Sequence, residues 1–407
     1  MQYIKHIYNA YKQDRAARWA LYSLYAMIVI ALLGSLIANE QPLYCKINNQ
    51  YFFPAVKQIF IQRGWAKPDT LFSNRDWQNY PYQTVIFAPI PYSATTIDNR
   101  NADYVSPFDK QQISSQRFRH WLGTDQIGRD VAAGMISGLQ QSLAVAGLAT
   151  LVASLIGIII GGVAGYFGDN RLRWSWLRIA MYIAAMVWCI YYLITMIQYY
   201  QNNGARWLLV GLLVVMVIPV LVVSFLVNSI EKKTFPNTYH VPLDLLLMRI
   251  IETFNIIPDI LLIVALLATV THPNVWVVGC IIGLVSWTTR AALIRSEMLR
   301  VREMAYIKST RLLGFSEQYI LFRHALPNAI APVIVAVTYG ISAAILAEAA
   351  LSFLGLGIAI DTITWGKLLD AARDNISAWW LAAFPSLAII KMVTIFNIIG
   401  NRLQKVV

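Results

Sequence analysis

The chain has 407 residues, 57% hydrophobic and only 13% charged, with a formal net charge of +12 and a mean hydropathy of +0.53. This excludes an ordinary soluble core and a disordered chain, and fits a protein that crosses a membrane several times. The basic excess is dispersed among apolar runs and not gathered on one soluble face, so it reflects topology and anionic lipid, with no nucleic acid called for.

Residues 1–18 are basic, and the run 19–38 that follows is long enough to cross about 30 Å of hydrocarbon. No small-residue cleavage site follows it, so it is expected to be a retained span and not a removed signal peptide. Residues 39–138 form a large segment outside the membrane. Its start alternates around Asn48-Asn49, a hairpin signal because asparagine tolerates positive φ. Prolines and aromatics dominate downstream, with no helical period, so a small β-containing module is expected, either filling space or touching a protein that delivers substrate. The segment His120-Trp-Leu-Gly-Thr-Asp-Gln-Ile-Gly-Arg-Asp130 closes it. Gly123 and Gly128 permit tight turns around Thr124, while Asp125, Arg129 and Asp130 can pair at the interface and pin the entry to the next span.

That span, 139–167, is longer than a bilayer needs and ends in Gly161-Gly-Val-Ala-Gly-Tyr-Phe-Gly168, where small residues let helices approach closely. Residues 171–243 carry two further apolar runs, 177–198 and 207–228, read as an inserted helical hairpin at the periphery or a dock for another membrane protein. The segment 244–407 holds four more runs, 249–270, 275–294, 328–350 and 380–400. With both termini inside, nineteen Lys and Arg fall on the inner side, Arg290 among them, against Arg206, Lys367 and Arg373 in the short outer loops. That asymmetry obeys the positive-inside rule.

Between the third and second of these runs from the end lies a basic loop, about 296–327. Two short amphipathic patterns meet there at Gly314-Phe315-Ser316. Glycine permits the positive φ that ends a helix, and Ser316 before Glu317 starts the next. Leu326-Pro327-Asn328 is expected to restart helix into the following span. Such a loop could merely join two spans, or could receive force from a soluble partner.

Lys391, near the middle of the last span, costs about 3 kcal/mol by insertion scales unless it faces protein, water or a carboxylate. Glu348, Asp259 and Glu252 are the candidate partners; the alternative places Lys391, with Glu348, on a translocation path. Cys45, Cys189 and Cys280 form no disulfide framework or metal spacing. The sequence holds no G-x-x-x-x-G-K-[ST] phosphate loop, no H-E-x-x-H and no G-x-S-x-G turn, so no enzyme and no cofactor is expected in this chain.

The loop resembles the coupling loop of ABC-importer permeases, which reads E-A-A, three residues, G, nine residues, I-x-L-P. Gly314, Leu326 and Pro327 match, whereas Lys308, Ser309 and Thr310 stand at the E-A-A positions and His324 at the isoleucine. His120–Asp130 resembles the H-x-L-G-T-D-x-x-G-R-D signature of peptide and nickel permeases, as do the Gly-Tyr-Phe-Gly168 ending, Ala347–Gly357, Trp365-Gly366 and the last span. The resemblance covers 120–170 and 244–405, and the outer module looks more like that of Yej-type oligopeptide and microcin C importers.

It implies an all-α polytopic membrane protein: a type I permease core of six spans, here with one extra helical hairpin and a small β-containing periplasmic module. It further implies a second permease chain, two cytosolic ATPase subunits that bind the ATP, a periplasmic peptide-binding protein or lipoprotein, and alternating access in the inner membrane. Nickel-chelate import is open to the same architecture. A secondary transporter or an accessory scaffold is the reading from another class, although a secondary transporter would show inverted repeats and paired midplane charges.

Overall fold

The computed structural model describes residues 14–62, 80–169, 238–270, 273–357 and 362–406, with a few positions between 65 and 78 and between 173 and 192. Among these, four helices are long and apolar enough to cross a membrane, and two bent pairs bring the number to six. The chain divides into one unit of residues 1–162 and 251–407 and a second of 163–250.

In the first unit α1 (Arg15–Ile37) starts at Asp14, whose carboxylate accepts from the amides of Ala16 and Ala17. The outer module follows. β1 (Tyr44–Ile47) and β2 (Gln50–Phe52) form the expected hairpin, with Asn48 and Asn49 at φ 49° and 62°. β3 (Thr84–Ile86) pairs antiparallel on the other side of β1. A short helix, α2 (Pro54–Gln62), was not expected from the sequence. It opens on proline, which suits a first helical turn, and nine residues are too few for a clear period.

Helix α3 (Val131–Phe167) is continuous over 37 residues and starts eight residues before the apolar run does. It packs through small residues. A Cβ on Gly157 would stand 2.7 Å from the Cβ of Arg290, and one on Gly161 would stand 2.5 Å from Ile294, so the stripe of glycines lets the backbones meet.

The run expected to form one span at 249–270 is bent: α4 (Leu243–Ile256) and α5 (Asp259–Leu267) meet at 80°. Pro258 disfavours helix at Ile257 and has no N–H to continue the ladder. Likewise α6 (Val275–Val285) and α7 (Trp287–Val301) meet at 45°. Here Ser286 bonds back to the Ile282 carbonyl at 2.7 Å, while its own carbonyl accepts from the Arg290 side chain at 2.7 Å. The hydroxyl bond adds to the regular Ser286 amide bond at Ile282, and the guanidinium takes the Ser286 carbonyl at the bend.

After the loop comes α11 (Ala331–Phe353), about 35 Å long at 1.5 Å per residue. Then follow α12 (Trp365–Asp374) and α13 (Trp379–Gln404). α11 packs against α12 and α13, and α13 packs against α1. The apolar core joins Val145, Val278, Ile345, Leu351, Met392 and Ile395 from these helices. One end of α11 therefore meets the outer module's side of the fold, and the other carries the basic loop.

The second unit holds the end of α3, the start of α4, and a two-stranded ladder of β4 (Arg173–Ser175) and β5 (Thr238–His240). The ladder brings residues 173–175 and 238–240 side by side, and the Asp169 carboxylate accepts from the Leu245 amide at 3.0 Å. Residues 178–185 are helical; most of the rest of the expected hairpin, including its second run, 207–228, lies outside the described residues.

Candidate functional site

The basic loop is built as a rigid elbow. α8 (Ala305–Leu312) ends at Gly314, which has φ +82°. α9 (Glu317–Ile320) begins at Ser316, whose hydroxyl accepts from the Tyr319 amide at 3.3 Å. The guanidinium of Arg311 grips both oxygens of Glu317, at 2.7 and 3.2 Å, and so locks the two helices across the glycine. Phe315 stacks on Tyr319 at 5.2 Å, and His324 meets the same ring edge-on at 5.5 Å.

Ile307, Ile320 and Leu321 are buried and anchor the elbow. Leu312 and Leu313 point outward at 89% and 76% exposure, with Phe315 and Phe322 beside them. Lys308 is exposed and pairs with Glu303 at 3.2 Å; Ser309 and Thr310 bond back to the carbonyls of Ala305 and Tyr306.

Pro327 does not restart a helix as expected. The run stays helical from Glu317 through a π turn, Leu321–Ala325, into α10 (Leu326–Ala329), and breaks only at Ile330. The Leu326 amide reaches back to the Leu321 carbonyl, widening the turn where the proline ring would strike the carbonyl four residues earlier.

At the opposite end of α11, the Gly123–Asp130 motif forms a lock of buried polar groups. Gly123 and Gly128 hold φ of +80° and +87°. Asp125 accepts from the amides of Ile127 and Arg129 and from the Arg129 Nε at 2.7 Å. Asp130 does not join that pair: one oxygen caps α3 at the Ala133 amide, 2.7 Å away, and the other meets the Nδ1 of buried His120 at 2.8 Å.

His120 stacks on Tyr92 at 4.2 Å and reaches Asp98 at 3.4 Å. Thr124 donates to the Asn101 carbonyl, and its own carbonyl accepts from the Trp380 indole on α13 at 3.0 Å. The motif thus ties the outer module to the starts of α3 and α13. The sequence marked these residues but not the His120–Asp130 contact, which is ten residues apart and visible only once the turns are folded.

Burial first, then the charges of Asp98 and Asp130, raise the Tyr92 phenol above its ordinary range, and its hydroxyl donates to the Phe118 carbonyl at 2.7 Å. A phenol that titrates later folded than unfolded keeps its stabilisation below the unfolded pKa of about 10 and loses it above. The melting temperature should therefore fall faster between pH 9 and 11 in the native chain than in Tyr92→Phe, and parallel curves would refute the linkage.

Glu348 is fully buried and accepts from Ser142 on α3 at 3.0 Å and from Ser352 at 2.8 Å. Lys391 is exposed on α13 beside Leu387 and Ile390. Among the described residues it forms no ion pair, so the expected bridge to Glu348, Asp259 or Glu252 is not made, and serines occupy the Glu348 carboxylate. Arg290, expected at the inner surface, is buried at 7% exposure.

Residues 237–407 match the family described as binding-protein-dependent transport system inner membrane component, beginning just where the ladder closes the insertion. Together with the helical fold, this likens the chain, over residues 237–407, to the inner membrane components of binding-protein-dependent transport systems. It is similar over nearly its whole length to the inner membrane ABC transporter permease protein YejE of Escherichia coli, 26% identical over 397 residues, 95% of this chain and 92% of the relative. The dipeptide transport system permease protein DppC of Alkalihalophilus pseudofirmus is 28% identical over 320 residues, 78% and 79% of the two chains. The peptidoglycan transport system permease protein YejE of Agrobacterium fabrum is 23% identical over 419 residues, 96% and 90%.

Proposed function

We propose that this permease imports peptides, oligopeptides foremost, as one of two similar permease chains driven by two cytosolic ATPase subunits and fed by an outer binding protein or lipoprotein. Its relatives' names speak of dipeptide, peptide and peptidoglycan transport, and the substrate reading rests on them. The observation that carries the mechanism is the elbow at Gly314: exposed leucines on a clamped, anchored bend, at the basic end of the fold. A loop that only joined two spans would not need an ion-paired bend with its apolar side chains turned to water.

In this scheme both termini and the elbow face the cytosol. ATP-driven closure of the motor subunits moves the elbow, which swings α7 and α11 and exchanges an inward-open for an outward-open path. Lys308, Ser309, Thr310, Phe315, Ser316 and His324 form the contact surface around Leu312 and Leu313. The Gly123–Asp130 lock holds the outer ends of α3 and α13 as the far abutment. Lys391 faces the second permease chain or the path between them, and the inserted hairpin docks at the periphery.

The test is to purify the chain with what associates, reconstitute it, and measure ATP hydrolysis. Oligopeptides together with the binding protein should raise it several-fold; purification without any nucleotide-hydrolysing subunit would reject the scheme.

A further inference from the structure

Arg290 has no role in the scheme so far. It sits in the first turn of α7, just past the 45° bend, on the wall of a cavity of about 450 Å³. α3, α5, α6 and α11 supply the rest of the wall, which is largely apolar. Among the described residues the guanidinium donates once, to the Ser286 carbonyl, and its Nε has no acceptor. Thr150, 4% exposed on the same wall, also has an unpartnered hydroxyl.

Room has been made for this charge. A Cβ on Gly340 of α11 would overlap the Arg290 guanidinium as it lies, so a larger residue there would displace the arginine side chain. Among the described residues Arg290 forms no ion pair, and Asp259, which lines the same cavity, does not approach it closely enough to make one. A guanidinium offers five donors in a planar fork that matches a carboxylate. Buried cations are ordinarily paired, and a donor left without an acceptor in a dry site is costly.

We propose that this cavity is a way-station in which Arg290 and Thr150 receive a carboxylate of the cargo as it crosses the membrane. The assignment rests on the peptide-import reading, because it is a peptide's terminal carboxylate that would dock there. A largely apolar cavity whose charged lining is Arg290 and Asp259 tolerates varied side chains and offers one cation to the carboxylate all peptides share. Its shape suits a transient stop, since a single charge-assisted contact holds cargo without trapping it.

The experiment uses the assembled transporter in proteoliposomes and two peptides of one sequence, one with a free C-terminal carboxylate and one amidated. Arg290→Met should lower uptake of the acid about ten- to a hundredfold, the loss of one charged hydrogen-bonded contact, and leave the amide within about twofold. Arg290→Lys should restore part of the preference. If Arg290 only braces the 45° bend at Ser286, both peptides fall together and the proposal is overturned; unchanged uptake of both overturns it too.

Should the native transporter import neither peptide, the peptide reading fails, and a second measurement then judges the site alone. N-acetylalanine, but not its amide, should saturably change the fluorescence of Trp287 at the start of α7 in the solubilised chain, and not in Arg290→Met. Absence of that difference overturns the site independently of any cargo.

Discussion

Replacing Leu312 and Leu313 together by aspartate is expected to abolish import while the chain still folds and inserts. Both side chains lie in water, at 89% and 76% exposure, so the isolated chain loses no packing. In the assembled transporter each leucine would bury its surface against a motor subunit, worth about 1.5–3 kcal/mol apiece, and the replacements would also have to desolvate two charges. The sum predicts a loss of subunit affinity of at least about a hundredfold. Motor subunits should no longer copurify, and uptake should drop to background.

Removing the clamp by Arg311→Gln should do far less, because the pair is partly exposed, at 31% and 43%, and exposed pairs contribute about 0–1 kcal/mol. Gly314→Ala meets open space and carries only the backbone cost of its positive φ, about 1–2 kcal/mol. The order of severity is therefore leucines first, glycine second, ion pair last. Full uptake by the double aspartate variant would remove the elbow from the coupling pathway.

Features governed by local chemistry were legible in the sequence. Gly314, Ser316 and Glu317 announced a bend, and Asn48-Asn49 a hairpin, because turn geometry is decided within four residues. Apolar run length located the crossings but not their bends. The 80° turn at Pro258 could be suspected from proline alone, while the 45° turn at Ser286 depends on Arg290 swinging its guanidinium back to a carbonyl.

Partners distant in the chain were not legible. Counting Arg290 as an inner-surface cation followed from a rule about loops, and failed because the residue lies within α7, on its buried side. Pairing Lys391 with Glu348 followed from the cost of buried charge, and failed because Ser142 and Ser352 satisfy the carboxylate while Lys391 lies on an outward face. The strand ladder beneath the insertion joins residues more than sixty positions apart, and three-residue strands carry no periodic signal.

The largest loss of stability is expected at Gly128. Its φ of +87° is costly for a β-branched residue, and a Cβ there would run into the backbone carbonyl of Asp98. Backbone cannot step aside as a side chain can. Asp98 also donates its amide to the Gly128 carbonyl at 3.1 Å, and its carboxylate reaches His120, which is itself bonded to the Asp130 that caps α3. Moving Asp98 would disturb the whole lock at once, so Gly128→Val should cost about 3–5 kcal/mol.

Gly147→Ala, inside α3 itself, is the control. A Cβ there meets nothing within 4 Å, and alanine favours helix over glycine by about 0.5–1 kcal/mol, so that variant should melt at or slightly above the native temperature. Thermal melting of the solubilised chain, followed by the fraction that elutes as a single folded species, separates the two. If Gly128→Val matched Gly147→Ala, the outer motif would be an ornament on the fold and not the fastening that holds α3 to the module above it.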